Sequence, residues 1–308
     1  MNRFKHLVAL CLTIYCAYVT SISVRAEESI SLTTFITAEN PIVCTMQVYS
    51  SNQTVVSSEI YDLPNDASVI PWINGERAYC ILQPTGHGVY DVVSPDTEIL
   101  LCSDLIVPSN IEPVCFVEEA LYCYCHEDKL LVSLSSDGKT IVLRDIADEQ
   151  YIGGMSNIVV SERGLIAFVK SCYDEIGDIN RYVFISDGSA SPQLLGKGAL
   201  PFWYSTNELC FIEQNQLYIY DLVHKCVEPF LDTTGEPLMI DATPTWTNSI
   251  QYVNRLHSIY YTVQEDSRIG GFVKIFTYNV DIKEQSLLDQ NDVHILRVGK
   301  PINRWYVE

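Results

Sequence analysis

Basic side chains are scarce in this chain: 19 Lys and Arg stand against 39 Asp and Glu, for a formal net charge of −20. A surface of that sign repels nucleic acid and anionic lipid headgroups, so neither is expected as a partner. Acidity of this size also keeps an exported protein soluble. Beyond the first 26 residues no apolar run reaches the ~20 residues that a membrane span needs, and no apolar period of ~3.6 residues persists for three turns. Neither a helical bundle nor a membrane span beyond the leader is expected. Several catalytic signatures are missing as well. Gly153-Gly154-Met155-Ser156-Asn157 comes nearest to a G-x-S-x-G nucleophile elbow but lacks its last glycine. Cys123-Tyr124-Cys125 is C-x-C rather than C-x-x-C, and only His126 lies beside it as a further zinc ligand. The histidines after the leader (His87, His126, His224, His257 and His294) are scattered, with no H-x-x-x-H and no recurring acidic partner in the sequence. No cofactor and no metal is expected.

The chain does carry a leader. Arg3 and Lys5 open it, Leu7 to Val19 is apolar apart from Thr13, and Val24-Arg25-Ala26 places small residues where a signal peptidase reads. Residues 1–26 are read as a signal peptide, with an uncleaved anchor as the rival, and residues 27–308 as one domain. Cleavage removes Arg3, Lys5 and Arg25 and no acid, which shifts the net charge from −20 to −23. The expected address is secreted or extracytoplasmic: periplasm or cell surface. Two of the 11 cysteines leave with the leader. The remainder are Cys44, Cys80, Cys102, Cys115, Cys123, Cys125, Cys172, Cys210 and Cys226, an odd set without the spacing of a disulfide framework. Most sit in apolar strand-like runs, as buried free thiols do, and one or two disulfides remain open to an exported chain. Asn52-Gln53-Thr54 is a glycosylation sequon for hosts that use one.

A repeat organises the rest. A Pro or its equivalent, then an apolar or aromatic residue, a polar turn and a strand recur, starting at Pro71, Pro113, Asn157, Pro201, Pro244 and Pro301. The intervals between these anchors are 42, 44, 44, 43 and 57 residues. Turn-rich hairpins interleave with them at Ser51-Asn52, Pro95-Asp96, Asp137-Gly138, Asp187-Gly188, His224-Lys225 and Asp281 to Lys283. Two hairpins per repeat make four strands in about 40–45 residues, the period of a propeller blade. The chain starts on a second hairpin (42–63) and ends on a first one (294–307), so both ends are expected to complete one shared sheet. The predicted fold is therefore all-β: a six-bladed β-propeller of four-stranded antiparallel blades, ring-closed by the terminal strands, with seven blades as the alternative. A β-sandwich predicts neither the period nor the split repeat.

The repeats resemble those of TolB-like propellers, related more loosely to WD-type repeats, whose blades carry Pro-x-Trp-Ser-Pro-Asp-Gly. Pro201-Phe202-Trp203-Tyr204-Ser205 and Pro244-Thr245-Trp246 match most closely, and Ser161-Glu162-Arg163-Gly164-Leu165-Ile166-Ala167-Phe168 resembles the stretch that follows. The resemblance spans nearly all of residues 30–308, in degenerate copies, and implies fold rather than function.

Three further features have plain readings. Trp72, Trp203 and Trp246 recur at one place in the repeat, which points to packing between neighbouring blades rather than a ligand platform. Asp174, Glu175 and Asp178 around Gly177 lack the alternating ligands of a calcium loop. Ser135-Ser136-Asp137-Gly138 reads as a hairpin turn rather than a sialidase Asp-box. The innermost strands line the channel of such a ring, so Ser68, Asn110, Asp241 and Arg297, ahead of the anchors, are expected at its mouth as the binding residues. No catalytic residue is assigned. The expected function is a secreted, non-catalytic binding or scaffold propeller that presents a face or channel to a protein or small ligand. The alternative is an extracytoplasmic propeller enzyme acting on glycans, with Asp241 among its acids.

Overall fold

The computed structural model describes residues 30–36, 42–49, 55–63, 67–73, 75, 78–95, 99–145, 150–188, 191–232, 234–240, 250–265, 272–281, 283–291 and 304–307. For the strand segments within 30–62, 262–274 and 288–307 the description is of backbone alone.

Strand follows strand throughout. The first three are β1 (Ile30–Ile36), β2 (Ile42–Tyr49) and β3 (Val55–Leu63). Next come β4 (Ser68–Ile73), β5 (Tyr79–Gly86), β6 (Val89–Val93) and β7 (Leu100–Ile106), then β8 (Ile111–Val117), β9 (Ala120–Cys125), β10 (Leu130–Ser135) and β11 (Gly138–Arg144). A third group is β12 (Ile152–Val160), β13 (Ile166–Tyr173), β14 (Ile179–Ser186) and β15 (Gln193–Lys197). After it run β16 (Ala199–Ser205), β17 (Glu208–Glu213), β18 (Gln216–Asp221) and β19 (Cys226–Pro229), then β20 (Ile250–Val253), β21 (Ser258–Glu265), β22 (Phe272–Asn279) and β23 (Glu284–Asn291). The last strand is β24 (Arg304–Val307). Among the described residues the one helical segment is a 3-10 turn, Asn254–Leu256, and no helix is long and apolar enough to cross a membrane.

Each run of four strands pairs antiparallel with its sequence neighbours, so the protein is all-β and built from four-stranded sheets. The positions of all six turn-rich hairpins expected from the sequence fall between the third and fourth strands of such a sheet, with Ser51, Asn52 and Asp96 themselves outside the described residues. Two features depart from the sequence reading. First, β4 and β8 pair in parallel, Trp72 opposite Phe116 and Ile73 opposite Val117, which fuses two four-stranded groups into one eight-stranded sheet. The strand ends come close enough there to exchange hydrogen bonds. Second, residues 294–303 of the expected C-terminal hairpin lie outside the described residues, and the shared sheet takes one described strand from that end. Strand β24 alone pairs with β1, Thr34 opposite Trp305, and β1 to β3 supply the other three strands. A three-plus-one division uses β1, whose segment carries none of the turn signals from which hairpins were read. Anchors Pro244 and Pro301 lie outside the described residues, and the first strand of the β20–β23 sheet is Ile250–Val253.

Turns are closed by small side chains. Ser161 Oγ accepts hydrogen bonds from the backbone N–H groups of Arg163 (3.2 Å) and Leu165 (3.0 Å), shaping the β12–β13 turn. Ser205 Oγ does the same for Asn207 N–H (3.2 Å) between β16 and β17 while donating to Glu208 (2.7 Å). These serines occupy equivalent places in the repeat. A Cβ on Gly75 would run into the Trp72 ring, so only glycine lets the indole lie across the β4–β5 turn.

Apolar clusters form between successive sheets. Leu63 packs with Val69 and Tyr79; Ile70, Cys80 and Leu82 with Phe116, Leu121 and Cys123. Cys115, Tyr124 and Leu131 meet Ile166, Phe168 and Phe184, while Ala167, Val169 and Val183 meet Leu209, Phe211 and Tyr220. Cys210 and Leu217 continue to Ile259 and Tyr261. Strand alternation explains the pattern: in β13 the even residues face one neighbour and the odd residues the other. Trp72 and Trp203 pack within these inter-sheet clusters, as expected, and Trp246 lies outside the described residues. The eight cysteines with described side chains are free thiols, five of them buried. Burial holds the thiols of Cys80, Cys115 and Cys210 far above the ordinary range and pushes Cys123 up to about 12, so these groups stay protonated and inert.

Phe168 is buried at such an inter-sheet contact, whereas Leu194 stands on an exposed edge. Phe168→Ala should lower unfolding free energy by about 3–5 kcal/mol and Leu194→Ala by less than ~0.5 kcal/mol in urea denaturation. Equal effects would contradict the packing described.

Candidate functional site

Parallel pairing places the starts of β4 and β8 at one end of their sheet. Ser68 opens β4, half-buried and opposite Leu82 in β5. Asn110 precedes β8 and is exposed. Its Nδ2 donates to Glu127 Oε2 (3.2 Å) in the β9–β10 turn and approaches Cys125 Sγ (3.7 Å). Cys125 Sγ in turn donates to Asp128 Oδ2 (3.4 Å). Beside them the His126 ring nitrogen meets Glu112 Oε2 at 2.7 Å, and the ring stands edge-on to Tyr124. Two of the four sequence-predicted binding residues, Ser68 and Asn110, therefore begin strands at the same end; Asp241 and Arg297 lie outside the described residues.

Three carboxylates, Glu112, Glu127 and Asp128, gather around one amide and one imidazole. Such a rim accepts hydrogen bonds and suits a ligand that brings donors or positive charge. The sequence reading missed Glu112 and Glu127 as rim groups because Glu112 lies on β8 just after Asn110, whereas Glu127 lies beyond β9 in the next turn. It also found no recurring acidic partner for histidine, and here the structure corrects it. His126 pairs with Glu112, His224 with Asp221 (2.5 Å) and His257 with Asp281 (3.4 Å). The His126 pair is a diagonal cross-strand contact, invisible without the Glu112–Tyr124 register. The Asp221–His224 pair was legible from its three-residue spacing in one turn. His224 is exposed and Asp221 half-buried, and their mutual hydrogen bond lowers the Asp221 pKa and raises that of His224.

The opposite end carries the first-hairpin turns. The β8–β9 and β12–β13 turns flank an open cleft of about 400 Å³ lined by Glu118, Glu119, Glu162, Arg163 and Tyr122. Arg163 is directed to the next turn, its Nη1 donating to Asn207 Oδ1 (2.9 Å).

Between the β8–β11 and β12–β15 groups lies a buried charge pair. Lys170 Nζ on β13 sits 2.6 Å from Asp145 Oδ1 in the connection after β11, with side-chain exposures of 7% and 2%. The ammonium also lies 5.0 Å from the Tyr151 ring centroid. Nearby, the Met155 N–H donates to the Tyr124 hydroxyl (3.1 Å), and a Cβ on Gly154 would strike that hydroxyl. Burial first, then the charge of Asp145, raises the Tyr124 pKa, and the Met155 amide opposes them. The pair ties a connection to a core strand and is enclosed rather than open to a ligand. Among the described residues no group of three or more His, Cys, Asp or Glu could hold a metal ion. Asp174, suggested by the sequence as part of a loop, uses its carboxylate on backbone N–H groups.

No protein-family model matches the sequence, and no curated protein matches it. Similar solved structures include a protein from Lactobacillus plantarum (9% identity, TM-score 0.47, covering 92% of this chain and 99% of that one). Another is the β-propeller domain of Myceliophteria thermophila Cps50 (Swd1), with 8% identity, a TM-score of 0.40 and 82% of each chain covered. A third is apo AztD from Citrobacter koseri, with 8% identity, a TM-score of 0.38 and coverage of 91% and 98%.

Removing Lys170 while leaving Asp145 would strand a buried carboxylate. Lys170→Ala should cost about 3–5 kcal/mol in urea denaturation, and Lys170→Met with Asp145→Asn less than that single change. A loss below ~1 kcal/mol for Lys170→Ala would show that the pair is not enclosed.

Proposed function

We propose that residues 27–308 close into a six-bladed β-propeller of the TolB-like kind, exported after loss of residues 1–26, that binds a protein or small ligand without transforming it. Support for the ring comes from the runs of four strands, from inter-sheet clusters that link each sheet to the next, and from β24 completing the sheet of β1. β20 also lies beside β24, as neighbouring innermost strands of a ring do. Support for the address comes from the leader, and the acidic surface suits it.

One observation carries the binding reading. The starts of the innermost strands bring Ser68 and Asn110 to one end, where Glu112, Glu127 and Asp128 add acceptors. Asp241 and Arg297, ahead of later repeats, are proposed to complete that mouth. The ligand class that fits is one rich in hydrogen-bond donors, cationic or polyhydroxylated.

The test is an amide-resolved NMR titration of the mature chain with a panel of monosaccharides, disaccharides, free amino acids and Lys-containing tripeptides. Shifts should fall on Ser68, Asn110, Glu112, His126 and Glu127, and Asn110→Ala should weaken binding about 3–10-fold. Shifts confined to other segments would defeat the reading. Turnover of a saccharide in the panel would favour a propeller enzyme acting on glycans instead.

A further inference from the structure

The hairpin of β13 and β14 is longer than the corresponding hairpins on either side. Both its strands have eight residues, whereas β9, β10, β17 and β18 have six. The odd residues of β13 face the β16–β19 sheet, and Ala167 and Val169 are covered by it. Further along that face the cover ends. Tyr173 and Ile179, which are cross-strand partners, are 60% and 55% exposed, and Ile176 at the tip is 84% exposed. Large apolar side chains left bare together mark a contact surface more often than isolated ones do.

The tip is held in shape. Asp174 Oδ1 accepts hydrogen bonds from the backbone N–H groups of Ile176 (3.0 Å) and Asp178 (2.8 Å), and Asn180 Nδ2 donates to its other oxygen (3.4 Å). A fixed loop presents its side chains at little entropic cost on binding. Glu175 and Asp178 stand exposed around the apolar group, with Asp174 behind them.

We propose that this overhanging tip is a docking surface for a cationic amphipathic segment of another protein. Its apolar face would cover Tyr173, Ile176 and Ile179, and its Lys or Arg side chains would meet Glu175 and Asp178. Charge selects this occupant over two others. A second copy of a chain with net charge −20 brings like charge to the same rim, and anionic lipid does the same. The surface needs neither closure of the ring nor the Asn110 rim.

The probe is a fluorescein-labelled peptide alternating Leu and Lys, compared with its Leu and Glu counterpart, in anisotropy titrations against the mature chain. The Lys peptide should bind and the Glu peptide should not. Ile176→Ser should weaken binding at least ~10-fold, as loss of a central apolar anchor does, while Ile106→Ser, at another bare site on β7, leaves it unchanged. A melting curve confirms that Ile176→Ser is folded. Equal losses in Ile176→Ser and Ile106→Ser, or no binding of the Lys peptide, would overturn the proposal. A dimer in ultracentrifugation, or binding to phosphatidylglycerol vesicles, that disappears in Ile176→Ser would overturn it in favour of self-association or lipid.

Discussion

A sheet of four short strands that is apolar on both faces is not stable alone in water. In the β12–β15 group, Phe168 and Phe184 need cover from one side and Ala167, Val169 and Val183 from the other. Each sheet therefore requires two neighbours, and each neighbour requires a further one. Burial on this scale contributes about 25 cal/mol for every Å² of apolar surface removed from water. A linear stack satisfies the demand everywhere except at its two ends. Pairing of β24 with β1 brings the last described strand into the sheet of the first three. The fusion of β4 with β8 belongs to the same crowding, since first strands of adjacent sheets lie side by side.

Function is left to what the stack does not consume. Core strands are committed to packing on both faces, and thiols such as Cys80, Cys115 and Cys210 are locked away by burial. Among the described residues, chemistry able to meet a partner sits at turns and strand starts: the acceptor-rich rim at Asn110, the acidic cleft at Glu118 and Glu162, and the bare tip at Ile176. All three carry carboxylates, in keeping with the charge of the whole chain. The buried Lys170–Asp145 pair is the exception, a charge spent on fixing the connection between two sheets.

Much of the fold was legible in the residues. The period of Pro and Trp anchors, and hairpin tips such as Asp137-Gly138 and Asp187-Gly188, located the second hairpins because turn chemistry is local. The shared terminal sheet was also legible, although its division into one strand and three was not. Strand β1 carries no Pro, Trp or Asp-Gly signal, and register between strands at opposite ends of the sequence leaves no local trace. The candidate site was less readable for the same reason. Asn110 was singled out from its place before an anchor, but Glu112, His126 and Glu127 meet only through the β8–β9 register. The overhang at Ile176 depends on the relative lengths of neighbouring hairpins, a comparison that exists only once the sheets are stacked.

Pairing of β24 with β1 in one sheet can be read from amide-to-amide NOEs in perdeuterated protein. Cross-strand NOEs should link Arg304–Val307 to Leu32–Phe35, centred on Trp305 and Thr34. NOEs from Arg304–Val307 to any strand other than β1, or none at all in the folded protein, would contradict it.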